Sequence, residues 1–405
     1  MSVVTIFSGV FCRGLEVAQT AAAQMGYELV DDQALAAQVS QQGDLSPAKL
    51  IKAMTDKPGA FNKFTHEKER AVAALKIGMS QLVARDRVVY LGHGSHLVPA
   101  SVSNVLRVCL IADLKHRAER ARQQGLAEKE ALARIHKEDE AAHAWVKYLR
   151  DKEAWASELY DILLPMDKKN LAEAVNLIVD NAGSELLAST PQALTQAADF
   201  QLAARVEMAL VGQGHDIRVT AKEGKVLIEI NKKVLMLSRL EEDLLRLARA
   251  VPGVGEVRVK VGPGYYQSDI YRQANFEMPA KVLLVDDERE FVQTLSERLL
   301  MREIGSAVVY DGQEALNFVK DEEPEVMVLD LKMPGIDGIE VLRRLKKEHP
   351  GIEVIILTGH GSEADREMCM QLGAFAYLKK PVDIDVLSQT MREAYAKIRA
   401  KAGQA

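Results

Sequence analysis

Residues 325–338 read EVMVLDLKMPGIDG, an unbroken apolar run that closes on Asp330 and passes at once into a Pro-Gly turn. Short, near-continuous apolar runs mark strands buried on both faces, as in a parallel sheet covered by helices. Three more runs in the same region repeat the pattern. KVLLV (281–285) ends in Asp286-Asp287, EVIIL (353–357) ends in Thr358, and AFAYL (374–378) leads into Lys379-Lys380-Pro381. In an open parallel sheet all strand C-termini share one edge, and ligands bind there. The four runs therefore predict an α/β unit whose edge gathers three carboxylates, a hydroxyl and an ammonium.

Such a cluster has a chemical use. Three carboxylates held together repel unless a cation sits among them, and hard oxygen ligands at an open site suit Mg²⁺. A carboxylate beside that cation is a nucleophile for a phosphoryl group, giving an acyl phosphate. Taken singly, each aspartate is as well explained as a strand-end turn former, and Tyr377 as a core aromatic. The set together is not.

LLVDDE, VLDLKMPGIDG, ILTGHG and AYLKKP, in that order, resemble the successive motifs of the response-regulator receiver domain across residues 280–400. The resemblance implies a flavodoxin-like doubly wound fold and assigns roles by position. Asp330 becomes the phosphoacceptor. Asp286, Asp287, Asp330 and the backbone carbonyl of Lys332 become the Mg²⁺ ligands, Thr358 and Tyr377 the switch pair, and Lys380 the phosphate contact. It also implies a sensor histidine kinase as partner.

Residues 1–180 alternate apolar runs (SVVTI, RVVYLG, NVLRVCLIA) with helical patterns, which predicts a second parallel α/β domain. FSGVFCRGLEV (7–17) follows the first run, and VVYLGHGSHLVPASVSNVLRVCLIADLKHRAERARQQG and HAWVKYLRDKEAW come later. This order resembles the cytidylate kinase-like family of P-loop nucleotide kinases. The resemblance implies a phosphate loop at Gly9, Arg13 and Gly14, and phosphate-directed lid arginines at Arg117 and Arg120.

The loop departs from that pattern. A phosphate cradle needs free backbone N–H groups, glycines for close approach and a basic side chain. Here bulky Val10, Phe11 and Cys12 fill the loop, Leu15 stands in the lysine's place and Glu16 replaces the metal-binding hydroxyl. Nucleotide or anion binding without turnover is expected ahead of phosphoryl transfer. The alternative for Arg117, Arg120 and Arg122 is a solvated helix face paired with Glu119 and Glu128.

Between these regions, residues 181–196 lose all pattern and predict a linker. Residues 197–262 predict a small α+β module: a helix, two strands turning at Glu223-Gly224, a second helix and a last strand. FQLAARVEMAL, DIRVTAKEGKVLIEI and LARAVPGVGEVRVKV resemble a BON domain, whose expected role here is a packing or dimerisation spacer. A second connector, rich in Gly and Tyr, is expected at 262–279.

Composition bounds the rest. A chain of 405 residues, 48% apolar and 27% charged, has room for two or three domains. Its net charge of -6 gives no electrostatic case for a nucleic-acid partner. RRLKKEH (343–349) reads as a solvated helix face. Cys12, Cys109 and Cys369 have no paired spacing, so neither a disulfide framework nor a zinc site is indicated. The start lacks a basic leader, and no apolar run reaches the roughly 18 residues of a membrane span. A cytoplasmic protein is expected.

Only a final helix fits after Pro381, so direct transcriptional control is not. The favoured expectation is a response regulator whose kinase-like output domain is inactive and acts through a protein partner or self-association. A receiver-gated, active nucleoside monophosphate kinase and a non-enzymatic adaptor are the alternatives.

Overall fold

The computed structural model describes residues 2–234, 237–262, 265, 279, 281–302, 304–359 and 361–402. The chain divides into two compact units: residues 1–58, 68–212 and 216–271 form the first, and 59–67, 213–215 and 272–405 the second.

The first unit is built on an all-parallel sheet of β1 (Val3–Ser8), β2 (Glu28–Asp31), β3 (Val88–Leu91), β4 (Val105–Ile111) and β5 (Ile162–Pro165), ordered β2-β3-β1-β4-β5. The sequence reading found β1, β3 and β4. It missed the two edge strands, four residues each, which are too short to stand out; β2 (ELVD) is also mixed in polarity. β1 is buried on both faces. Val3 and Phe7 pack on one side with the helices Glu67–Arg85 and Glu128–Arg150, whereas Val4 and Ile6 pack on the other with Gly14–Met25 and Leu171–Ala182.

A second sheet in this unit joins β6 (Arg218–Lys222), β7 (Lys225–Ile230) and β8 (Glu256–Val261). β6 and β7 form the expected hairpin, turning through Glu223 (φ 52°) and Gly224 (φ 74°). Both turn N–H groups donate to the Asp199 carboxylate, at 2.7 and 2.9 Å.

The expected linker at 181–196 is corrected by the structure. From Pro191 the chain is already helical, and one helix runs to Gly212. Ala197 and Phe200 on it enter the core of the first sheet, while Leu202, Val206 and Leu210 enter that of the second. A helix that serves two cores leaves no free hinge between them. The connector expected at 262–279 lies outside the described residues except for Gly262, Tyr265 and Pro279.

The second unit holds a five-stranded parallel sheet of β9 (Val282–Val285), β10 (Ser306–Val309), β11 (Val326–Leu329), β12 (Glu353–Thr358) and β13 (Ala376–Lys379), ordered β10-β9-β11-β12-β13. This is the doubly wound order 2-1-3-4-5. β9, β11 and β12 are buried along their whole length; β9 and β11 are uniformly apolar, and β12 is apolar between Glu353 and Thr358. Only the edge strand β10 went unnoticed in the sequence.

Residues Gly59–Glu67 also belong to this unit, although the sequence placed them in the N-terminal domain. The reason is apolar burial: Phe61 is fully buried, its ring centroid 5.6 Å from that of Phe318. Ala60 N–H donates to Glu322 at 2.8 Å, and Lys281 Nζ lies 2.7 Å from Glu67.

Gly338 opens the helix Gly338–Glu348, and a Cβ there would stand 2.2 Å from the carbonyl oxygen of Asp330. Gly338→Ala forces the helix away from the strand end, so we expect a loss of about 1–3 kcal/mol. Chemical denaturation should show a lower midpoint; an unchanged one would contradict the close packing.

Candidate functional site

The C-terminal edge of the second unit's sheet brings the sequence-predicted residues together. Asp286 follows β9 and Asp330 follows β11, each extending its strand by a backbone bond, Asp286 N–H to Val309 and Asp330 N–H to Val285. Both carboxylates are buried, and each with Asp287 offers a ligand oxygen within 4.8 Å of the others. Three hard oxygen donors at that separation, one of them half-exposed, fit a divalent cation held in an open site. Lys332 lies two residues beyond Asp330, its carbonyl free of backbone partners among the described residues.

Lys380, just past β13, balances the acids. Its Nζ is 2.7 Å from Asp286 Oδ2, 2.8 Å from Glu288 Oε1 and 3.6 Å from Asp330 Oδ2. The ammonium also lies 4.4 Å from the centroid of the Phe291 ring. Burial pushes Lys380 down, but the hydrogen bonds to Asp286 and Glu288 outweigh it and hold the group above its ordinary pKa. For Asp286 the balance tips the other way. Its desolvation exceeds the help from Lys380, and its pKa is raised. On Asp330, Oδ1 accepts the Leu331 N–H at 2.7 Å, so Oδ2 is the oxygen nearer to Lys380.

Thr358 closes β12 and is buried. Gly361 links it to Tyr377: a Cβ on Gly361 would stand 1.8 Å from the Tyr377 hydroxyl and 3.2 Å from Thr358 Cγ2. The Tyr377 ring is thus turned inward, and its buried hydroxyl has no partner among the described residues. Glu288 is the contact that sequence reasoning missed; its place directly after the acidic pair was the available signal.

The first unit treats its predicted site differently. Arg13 (φ 62°) precedes the helix Gly14–Met25, as a phosphate loop requires. Glu16, however, accepts from Arg13 Nε at 3.0 Å and from Arg120 Nη2 at 2.8 Å, and the Arg13 hydrogen bond, chiefly, lowers its pKa. Arg117 is buried in a bidentate pair with Asp139, at 2.8 and 2.7 Å, with Nε on the Val10 carbonyl. Arg117 and Arg120 therefore pair with Asp139 and Glu16, not with the Glu119 and Glu128 of a solvated face.

Gly9 ends the first strand's reach, its N–H bonded to Leu110. Cys12 lies beneath the loop in the core, and Phe11 packs on Ala121, Ala131 and Ile135. A cavity of about 270 Å³ remains, lined by residues including Gly9, Phe11, Gly14, Leu15 and His93, so the loop is less filled than its sequence implies. Sequence reading also passed over Asp32, whose carboxylate takes Tyr90 OH at 2.5 Å and the N–H groups of His93 and Gly94 at 2.8 and 3.0 Å.

Residues 282–392 match the family model for the response regulator receiver domain. They are a receiver domain. Residues 3–168 match the model of the cytidylate kinase-like family. The receiver is similar to the transcriptional regulatory protein CpxR of Escherichia coli K12, 41% identical over 120 residues, which are 30% of this chain and 48% of CpxR. The response regulator MprA of Mycolicibacterium vanbaalenii is 34% identical over 115 residues, 28% of this chain and 50% of MprA. The chain thus spans half or less of the length of the curated relatives it matches.

A receiver domain from Clostridium thermocellum is 33% identical, with a TM-score of 0.29, over 30% of this chain and 97% of that one. Residues 282–392 therefore carry the receiver domain, and residues 3–168 a region that matches the cytidylate kinase-like family. No helix among the described residues is long and apolar enough to cross a membrane.

A carboxyl whose pKa is raised on folding stabilises the fold below its unfolded value, about 4, and that contribution is lost as pH climbs through the raised value. Asp286→Asn cannot ionise. In chelator, the variant should melt above the wild type at neutral pH, with the gap closing below pH of about 4. A variant that melts lower at neutral pH would show that the Lys380 contact outweighs the burial.

Proposed function

We propose that Asp330 accepts a phosphoryl group from a sensor histidine kinase and that the receiver passes this signal to a kinase-like, catalytically silent output region. The observation that carries the reading is the charge arrangement at the sheet edge, with Asp286, Asp287 and Asp330 clustered and Lys380 reaching two of them. Asp330 Oδ2 attacks phosphorus as the P–N bond to the donor imidazole breaks, and the imidazole nitrogen keeps the bonding pair. Mg²⁺ on Asp286, Asp287, Asp330 and the Lys332 carbonyl would supply positive charge to the phosphoryl oxygens. Lys380 gives a third oxygen a fixed ammonium, and the Asp286 contact holds it at the site.

Thr358 and Tyr377 are the reporting pair. Drawing the Thr358 hydroxyl toward the phosphate changes the room available to the Tyr377 ring, which the Gly361 backbone already limits. That is a population shift between two packings of one side chain.

Catalytic silence of the N-terminal region rests on its arginines. Glu16 and Asp139, anions of the chain itself, already hold Arg13, Arg120 and Arg117. A nucleotide phosphate entering there must displace a carboxylate and then face its repulsion. The segment Gly59–Glu67, within the stretch that matches the cytidylate kinase-like model, is gathered into the receiver's unit. This supports an output that is mechanical and protein-directed.

Acetyl phosphate with Mg²⁺ should add one phosphoryl group to the wild type by intact mass and none to Asp330→Asn. Equal labelling of both would remove the assignment. A coupled ADP-release assay over all nucleoside monophosphates should stay flat with and without phosphorylation; turnover of any one of them would overturn the silent-output half of the reading alone.

A further inference from the structure

A cavity of about 340 Å³ lies in the first unit and shares no lining residue with the phosphate-loop pocket. Its floor is the middle of the sheet, where Thr5 on β1 and Arg107 on β4 are register partners. Its wall is the 3-10 turn His93–Leu97, which supplies Ser95 and His96, and the end of the helix Glu128–Arg150, which supplies Arg150. The segment approaching β5 closes it with Tyr160 and Asp161.

Two features are unexplained by the fold alone. The first is Arg150. Its Nη2 donates to the carbonyls of His96 and Val98, at 2.7 and 2.6 Å, and among the described residues it has no carboxylate partner. The charges that act on it are those of Arg107 and Arg218, both cationic. The other charged groups at the cavity are spoken for: Lys152 pairs with Glu158, and Arg107 has Asp161 at 3.8 Å. A half-buried cation next to like charge and without a counter-ion is costly to keep.

The second feature is Ser95. It is only 8% exposed, lines the same cavity, and its hydroxyl has no hydrogen-bond partner among the described residues. Buried hydroxyls are nearly always satisfied, so an orphan beside an uncompensated guanidinium points to a missing acceptor that carries negative charge. His96 adds a neutral ring: burial, then Arg150, pushes its pKa down to about 3. The volume falls at the small end of ligand pockets, roughly 300–1,000 Å³.

We infer that this cavity binds a small metabolite through an oxyanion group, phosphate or carboxylate, which meets the Arg150 guanidinium and accepts the Ser95 hydroxyl. The site is separate from any nucleotide chemistry at the phosphate loop. It gives the N-terminal region a ligand input independent of the receiver.

Calorimetric titration of the full chain with inorganic phosphate, and separately with citrate, tests this and tells the two oxyanion sources apart. At least one probe should bind saturably, one per chain. Ser95→Ala should weaken that binding about tenfold, the usual worth of a hydrogen bond to a charged group. Because its hydroxyl is unsatisfied in the free protein, the same variant should be no less stable than the wild type without anion. Leu15→Asp, which places a negative charge at the phosphate loop, should leave the affinity within about twofold, since the two cavities share no lining residue and exposed charges are screened by salt.

Lys152→Gln, at the exposed rim, keeps the test open if Ser95→Ala folds poorly; it frees the Glu158 carboxylate that lines the cavity, whose charge should weaken anion binding. The inference is overturned if neither probe saturates at millimolar concentration, if Ser95→Ala and Lys152→Gln both bind as the wild type does, or if Leu15→Asp abolishes the binding.

Discussion

One ammonium organises the receiver's edge. Lys380 reaches Asp286, Glu288 and, at longer range, Asp330, so it holds together carboxylates that would otherwise drive one another apart. Because β9, β11 and β13 all run the same way, their C-termini meet at this point, and charges distant in sequence become neighbours. The buried strands behind them fix where each acid stands. The raised pKa of Asp286 shows that Lys380 does not fully offset the burial. The remaining demand for positive charge is what a divalent cation and a phosphoryl group answer together.

The N-terminal sheet obeys the same topological rule with the opposite electrostatic outcome. Its strand ends also gather charge, but three arginines near the loop have met carboxylates from their own chain: Glu16 for Arg13 and Arg120, Asp139 for Arg117. Arginines held by carboxylates of their own chain are less available to a ligand phosphate. Elsewhere in this unit Arg150 has no carboxylate partner among the described residues, and the Ser95 hydroxyl that lines the same cavity has no partner there either.

Much of the fold was legible because buried parallel strands are chemically plain. β1, β3, β4, β9, β11, β12 and β13 announce themselves as apolar runs. β2, β5 and β10 do not: each is a short, partly buried edge strand of four residues, and β2 also mixes polar and apolar side chains. The helix Pro191–Gly212 was misread at its start because it serves two cores from different faces, which spreads apolar residues around it and blurs the period that marks an amphipathic helix. Phe61 gave no local sign of packing on Phe318, as a contact so distant along the chain leaves no pattern in either segment.

The sequence by itself determined the two parallel sheets, the acidic edge with its hydroxyl and lysine, and the loss of the basic residue at Leu15. These follow from local composition and from the rule that parallel strands end together. Only the tertiary structure decided which charges pair. That Glu16 and Asp139 take the arginines, that Glu288 joins Lys380, that Gly59–Glu67 is gathered beside Phe318 and Glu322, and that Arg150 is left without a counter-ion all depend on ångström-scale separations. Electrostatic energy falls steeply with distance and with exposure to water, and neither is written in the order of residues.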